Sequence, residues 1–504
     1  MDKPNVFRNA IMATIQVTVA GLVMLAMYRF LLGTIGIDKI GVWSLVLATT
    51  SMTRISELGF SGSVVKFAAK HLALQEEKQA AEVIETAAIS VAVILGFFLS
   101  GLYPALAFLV GNLVPANLLA DALVVLPYAV VSLWLLVIAS VFLAGLDGIQ
   151  RADLRGLIIV LGQLVYLCMV YWLVPTNDMK GLGISHMAQA AFGLVAAWVA
   201  LRGKISGLGA FPCRWSSTAF REMFGYAINF QINGIAQLLF EPTTKALLSR
   251  FGGVSWVGYY EMANRMIMQV RSLLVAANQV AVPVVAYLLE KDSSRVSAAY
   301  KRCYEVMWYL SVPVYSLLLL FIPTISDLWI GRYETLFVSF SFILLAGWFF
   351  NTVTAPAYFS YAGIGRLRWN TMAHLLMGTL NVLLGYLLGT LMNGFGVVIA
   401  TACALVAGSI IPIAAFHREY KISLRDLLPK ESRTMTFACL AASTGGLLVF
   451  YRMRETASST AVSLVVAATF LLAVGPLMWQ HKMRSFLTAG IWAFCMRKVP
   501  GGSN

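Results

Sequence analysis

Apolar stretches long enough to cross a bilayer follow one another along this chain with only short polar breaks. That pattern settles its solvent. A helical crossing needs ~20 mainly apolar residues. Fourteen stretches qualify, at about 9–34, 40–65, 83–108, 120–146, 156–175, 182–201, 220–247, 254–289, 303–328, 335–361, 369–392, 396–416, 434–451 and 459–480. Several are cut by Gly, Pro or a charge, so the count is twelve to fourteen. Hydrophobic residues make up 59% of the 504 and charged residues 12%, against ~45–50% and ~25% in soluble domains. A soluble enzyme, a disulfide-built secreted domain and a disordered regulator are all excluded. Lipid leaves backbone polar groups no outside partner, so spans of this length are helices. The expected fold is an all-α polytopic membrane protein. The first apolar stretch is too long for a signal peptide and lacks a clean cleavage site, so it reads as the first span.

The formal charge of +14 points to phosphate only if it is concentrated, and it is not. No Lys/Arg run is dense enough to track a nucleic acid, so nucleic acid is not an expected partner. The basic residues instead cluster between spans. With the N-terminus in the cytoplasm, 26 of the 37 Lys and Arg fall in inside loops and tails, 8 at outside ends and 3 within spans. This asymmetry orients the chain, and an even span count returns the C-terminus to the cytoplasm. A multi-pass protein of a bacterial plasma (inner) membrane is expected. The six cysteines form no CxxC and read as small hydrophobes. No GxxxxGK[ST] and no Cys/His cluster of metal spacing occurs, so neither cofactor nor metal is expected.

The second half repeats the first. Gly36-Ile37-Asp38-Lys39-Ile40-Gly41-Val42-Trp43 follows span one, and Gly253-Val254-Ser255-Trp256-Val257-Gly258-Tyr259-Tyr260 follows span seven, an offset of 217. Leu109-Val110-Gly111 matches Trp329-Ile330-Gly331 at 220, and Gly148-Ile149-Gln150-Arg151 matches Gly363-Ile364-Gly365-Arg366 at 215. Six spans per unit is even, so both units keep one orientation, as two parallel six-helix bundles. The expected domains are an N-lobe over 1–202, a cytoplasmic linker over 203–219, a C-lobe over 220–417, and 418–504 with two further helices and a short tail.

Charges within hydrocarbon cost at least ~2.5–3.5 kcal/mol each, so they face a cavity or a partner. Arg54 lies mid-span with Glu57 at i+3, and the 217 offset carries Arg54 onto Arg271 in span eight. Both arginines are candidates for a shared cleft. Arg54 pairing with Glu57, and Arg271 snorkelling from a long span, are the competing readings. In span eight Asn264, Arg271 and Asn278 recur every seven residues, as do Arg265, Ser272 and Gln279, wetting about half of the helix circumference. Such a helix lines water, and Pro283 offers it a kink. Span seven carries Asn229, Asn233 and Gln237 in one stripe and ends in Glu241, Pro242 and Lys245. In span eleven Asn370, His374 and Asn381 share a face, where interhelical hydrogen bonds and ligand contact both fit. Arg29 lies near the outer end of span one, where snorkelling and cavity lining both fit. Glu57 and Glu261 are the acids placed for ion coupling.

The segments GIDKIGVWSL, RISELGFSG, GGVSWVGYYEMANRM and LWIG, with the two six-helix units, resemble the polysaccharide transporter family. It belongs to the multidrug/oligosaccharidyl-lipid/polysaccharide exporter superfamily and includes O-antigen and other lipid-linked oligosaccharide flippases. The resemblance covers essentially the whole chain. It implies a V-shaped pair of lobes plus two C-terminal helices. It also implies flipping of a polyprenyl-diphosphate-linked glycan to the outer leaflet by alternating access, beside glycan polymerase or ligase machinery. Related lipid II flippases hold the diphosphate with arginines of the first, second and eighth helices. Arg29, Arg54 and Arg265 occupy comparable stretches, although no acid follows Arg29 directly. A same-fold multidrug exporter is the alternative, disfavoured because in-span Arg outnumber in-span Glu. A membrane glycan ligase or polymerase is the third reading, and short outer loops speak against such an enzyme.

Overall fold

The computed structural model describes residues 6–52, 59–276, 285, 288, 291, 295–454, 456 and 458–485, and among these there are helices and turns but no strand. The long helices are α1 (Val6–Thr34), α2 (Gly36–Ser51), α3 (Phe60–Ala73), α4 (Glu77–Leu113), α5 (Ala116–Gly148), α6 (Ala152–Arg202), α7 (Ser217–Gly252) and α8 (Val254–Ala276). They continue with α9 (Val296–Ile330), α10 (Thr335–Val353), α11 (Ala355–Ile364), α12 (Arg368–Glu419), α13 (Arg433–Met453) and α14 (Ser459–Gln480). Nine helical stretches among the described residues are long and apolar enough to cross a membrane.

Two of those stretches are double. A straight helix of 51 or 52 residues would be about 75 Å long, more than twice the ~30 Å hydrocarbon core. Each instead breaks at one residue with non-helical backbone, Asp178 (φ 50, ψ −132) in α6 and Asn393 (φ 55, ψ −145) in α12. The chain then doubles back. A Cβ on Gly181 would collide with the carbonyl of Leu173, and one on Gly396 with that of Leu388. Residues eight apart on a straight helix would be about 12 Å apart. Asp and Asn are the non-glycine residues best suited to positive φ. Each helix is therefore a hairpin of two crossings, and the break falls between spans that the sequence separates.

The two hairpins sit at equivalent places in the internal repeat: Asp178 and Asn393, Gly181 and Gly396, Leu173 and Leu388 all differ by 215. Positive φ recurs with the same spacing at Gln150 and Gly365, and at offset 217 at Gly36 and Gly253. The repetition thus reaches the backbone, where side-chain similarity has largely faded.

The chain divides into two compact units, Met1–Gln269 with Met377–Thr401, and Val270–Leu376 with Ala402–Asn504. In the first, α3 to α6 enclose a core that includes Phe60, Val64, Ile84, Leu95, Val137 and Val141. In the second, α13 and α14 pack on α9 around Leu320, Cys439, Phe450, Val466 and Phe470. Thr324 of α9 and Ser463 of α14 are hydrogen-bonded inside this apolar contact.

Within the first unit α2 and α8 pack at very short range about a local two-fold relation. A Cβ on Gly41 would collide with the carbonyl of Val254, and one on Gly258 would lie 2.7 Å from that of Ile37. Gly41 and Gly258 are repeat partners, as are Ile37 and Val254. Only hydrogen in place of a side chain permits backbones this close. One pair further along, the Ser255 hydroxyl donates to Asp38, again at a separation of 217.

Candidate functional site

The same two-fold relation brings Ser44 of α2 onto its repeat partner Glu261 of α8. The Ser44 hydroxyl donates to Glu261 Oε2 at 3.0 Å. Glu261 is 1% exposed, and so large a desolvation needs compensation. Lys245 Nζ lies 2.7 Å from Oε2, Arg265 Nε meets Oε1 one helical turn away, and the Tyr28 hydroxyl donates to Oε1 at 3.3 Å. Lys245 is also bound to Glu241 at 2.8 Å. Two acids and two bases make the cluster formally neutral, which lets it lie among apolar residues. Arg265 is only partly used: its side chain remains 45% exposed, and its Nη groups have no hydrogen-bond or ion-pair partner among the described residues. Its guanidinium also lies 6.0 Å from the Tyr28 ring centroid.

Next to Lys245, Thr244 joins a buried network. Asn381 Nδ2 donates to Thr244 Oγ1 at 2.8 Å and to the Phe240 carbonyl at 3.0 Å. Thr401 Oγ1 donates to Asn381 Oδ1 at 3.1 Å. Asn381 thus spends its amide tying α7 to both legs of the α12 hairpin. At the Asp178 turn, Lys39 meets Asp178 and lies 3.4 Å from Asp121. The hydrogen bond that Lys39 donates to Asp178 holds its ammonium more basic than usual.

The second unit contains a different cationic site. Arg271 Nε donates to Asn351 Oδ1 at 3.0 Å, and the guanidinium lies 5.3 Å from the Trp348 ring centroid. Asn351 is fixed by its own bond to Ser409 Oγ at 3.2 Å. Tyr315, Tyr358 and His374 lie within electrostatic reach. The Tyr315 hydroxyl is shared with Thr352 Oγ1 at 2.6 Å, and the Tyr358 and His374 rings meet edge-on at 5.9 Å. No carboxylate pairs with Arg271 among the described residues. It is a half-buried cation held by one amide and an aromatic face.

The other residues singled out in the sequence separate clearly. Asn264 is buried on α8, and Arg29 is exposed on α1. Asn229, Asn233 and Gln237 lie on α7, but their side chains are outside the described residues, as are Arg54, Glu57, Asn278 and Gln279 altogether. Lys245 stands out in the sequence only as part of the polar end of span seven, and Ser44 and Tyr28 carry no mark of their own, although the 217 offset pairs Ser44 with Glu261. Nothing in the sequence marks Trp348, Tyr315, Tyr358 or Asn351, which look like ordinary members of apolar spans.

Hairpin crossings, an internal repeat and charges confined to a few helix faces define a multi-pass membrane protein built like the transporters of the MOP superfamily. It is similar to the inward-facing conformation of a multidrug resistance MATE family transporter of that superfamily (TM-score 0.70, 11% identity, covering 81% of this chain and 98% of the other). It is also similar to the lipid II flippase MurJ in its inward closed conformation (TM-score 0.68, 13% identity, covering 91% and 98%). A MOP superfamily transporter from Pyrococcus furiosus is similar in fold, at TM-score 0.57 and 13% identity over 82% of this chain and 95% of the other. The chain belongs to the polysaccharide biosynthesis protein family, whose profile matches residues 36–333. No curated protein sequence matches it.

Proposed function

We propose that this protein is a flippase that moves a polyprenyl-diphosphate-linked oligosaccharide, an O-antigen or exopolysaccharide-type repeat unit, from the inner to the outer leaflet of a bacterial inner membrane. The observation that carries the reading is Arg271: a cation within a membrane helix, with no acid paired to it among the described residues, beside groups that hydrogen-bond and stack. Leaving such a charge unpaired is costly, and an anionic cargo offsets the cost by charge-assisted hydrogen bonds. Trp and Tyr beside it offer flat faces and hydroxyls to a sugar. The open Nη groups of Arg265 supply a second point of attraction, and Arg54 and Arg29 are proposed to extend the set. Asn229, Asn233, Gln237, Asn264, Asn278 and Gln279 are proposed to meet sugar hydroxyls, each of which costs ~2–7 kcal/mol to bury unpartnered.

In this mechanism an N-lobe (1–202) and a C-lobe (220–417) rock to alternate access while the lipid tail stays in the bilayer. Outward movement of an anion is favoured by ~2.3 kcal/mol per charge per 100 mV of inside-negative potential. Neutralised by Lys245 and Arg265, Glu261 is a poor receptor for a drug cation, which counts against the multidrug alternative. Ion coupling through Glu261 or Glu57 requires one of those pairings to open.

The test is reconstitution into proteoliposomes with a polyprenyl-diphosphate oligosaccharide, reading its exposure to an externally added glycosidase. Protein-dependent exposure is expected. Export of a cationic dye with no movement of the glycan would overturn the reading.

A further inference from the structure

Both in-span arginines of α8 are gripped at the same atom. Arg265 donates from Nε to Glu261 Oε1, and Arg271 donates from Nε to Asn351 Oδ1 at 3.0 Å. One acceptor is charged and the other is neutral. A carboxamide and a carboxylate are close in size and shape, so what stands at position 351 decides charge rather than geometry.

The orientation of Asn351 follows from its partners. Arginine has no acceptor, so the amide oxygen faces it and Nδ2 donates to Ser409 Oγ at 3.2 Å. Ser409 is 1% exposed and stands on the second leg of the α12 hairpin. Its backbone is tied to the end of α10, where Thr354 Oγ1 donates to the Ser409 carbonyl at 3.0 Å. Turning the amide over would aim Nδ2 at a group that only donates. Asn351 therefore has one good orientation, and the guanidinium inherits it.

With Nε engaged, the edge of the guanidinium that pairs Nε with one Nη cannot take an oxyanion by two bonds. The edge that remains is Nη1 with Nη2, and neither has a hydrogen-bond or ion-pair partner among the described residues. Two parallel N–H groups on that edge match two oxygens of one phosphate. The Trp348 ring, with its centroid 5.3 Å from the guanidinium, borders the group without consuming a donor. An acid at 351 would orient the fork equally well and neutralise it, as Glu261 does for Arg265.

We propose that Asn351 is a positioning residue for the phosphate of the cargo. Its neutral oxygen holds Arg271 Nε so that both Nη groups meet two oxygens of one phosphate end-on, with the positive charge undiminished, and Ser409 keeps the amide turned that way. This role rests on the reading of Arg271 as a cargo receptor and adds what orients it.

The test uses the full chain in detergent, with a sugar-free polyprenyl diphosphate as the probe, binding read by calorimetry and stability by thermal unfolding. Asn351→Asp preserves shape and both hydrogen bonds but pairs Arg271 with an acid. Its unfolding midpoint is expected at or above wild type while affinity falls about tenfold or more. A residue with a merely structural role would tolerate that isosteric change without loss of binding. Asn351→Ala keeps the charge and removes the guide, and about a three- to tenfold loss is expected. Wild-type affinity in Asn351→Asp overturns the proposal; so does wild-type affinity in Asn351→Ala, which decides the matter if the acid variant fails to fold. In both cases the cargo reading stands, because the wild type still binds the probe. A wild type that does not bind it sinks the cargo reading and this role together.

Discussion

Arg265 and Arg271 stand six residues apart on one helix, and their surroundings are opposite. Arg265 ends a chain of ion pairs through Glu261 and Lys245 to Glu241, in which every charge has a counter-charge. Arg271 has an amide, a tryptophan face and, among the described residues, no acid. A neutral cluster is architecture: removing one member exposes the others. A lone cation is a receptor: removing it relieves the protein and deprives the ligand. Counting in-span arginines against glutamates misses this, because it weighs both alike.

The sharpest way to break the comparison is Glu261→Gln. It leaves Lys245 and Arg265 facing each other without their shared carboxylate, and a stability loss of about 3–5 kcal/mol is expected from thermal or denaturant unfolding. Adding Lys245→Met should recover a large part of that loss; no recovery would mean that the cluster is not one electrostatic unit. Arg271→Ala should do the reverse. Its unfolding midpoint should stay at or above wild type, while glycan flipping falls by about 1.5–3 kcal/mol, roughly ten- to a hundredfold. Lysine there should rescue only in part, since it cannot reproduce the planar fork. If Arg271→Ala destabilises as much as Glu261→Gln, the distinction fails.

Gly41→Ala probes the contact beneath the cluster. Its methyl must push α8 away from α2, at a cost of about 1–3 kcal/mol, and disulfide trapping between cysteines placed at Asp38 and Ser255 should weaken with it. The smallest effect belongs to Tyr28→Phe. It removes one of four donors to Glu261, so a loss of about 1 kcal/mol in unfolding free energy is expected.

How much of this was readable in advance depends on which physical signal each feature leaves. Crossing helices announce themselves through apolar length, and Asp178 and Asn393 sit between spans that hydropathy separates. Partners of Glu261 were half-readable: Lys245 stands four residues after Glu241, and Ser44 follows from the repeat offset. Tyr28 lies on another helix at no repeat-related position, so only packing could find it. The Arg271 surroundings were not readable at all. Tryptophan and tyrosine within a span are equally at home against lipid, and which ones meet a guanidinium is decided by how α9, α10, α11 and α12 are placed.

The contact between α2 and α8 carries a historical constraint. If a single ancestral half had paired with an identical copy about the same axis, residues on that axis would have met themselves. An acid at either position would then have faced its own duplicate, two like charges in a medium that screens poorly. In the present chain an acid meets a hydroxyl at both places, Asp38 opposite Ser255 and Glu261 opposite Ser44. Such mixed pairs become accessible only when the two copies are free to mutate apart. Two copies that differ in sequence, carried here on one polypeptide, can therefore hold a carboxylate on their common axis where two identical ones could not.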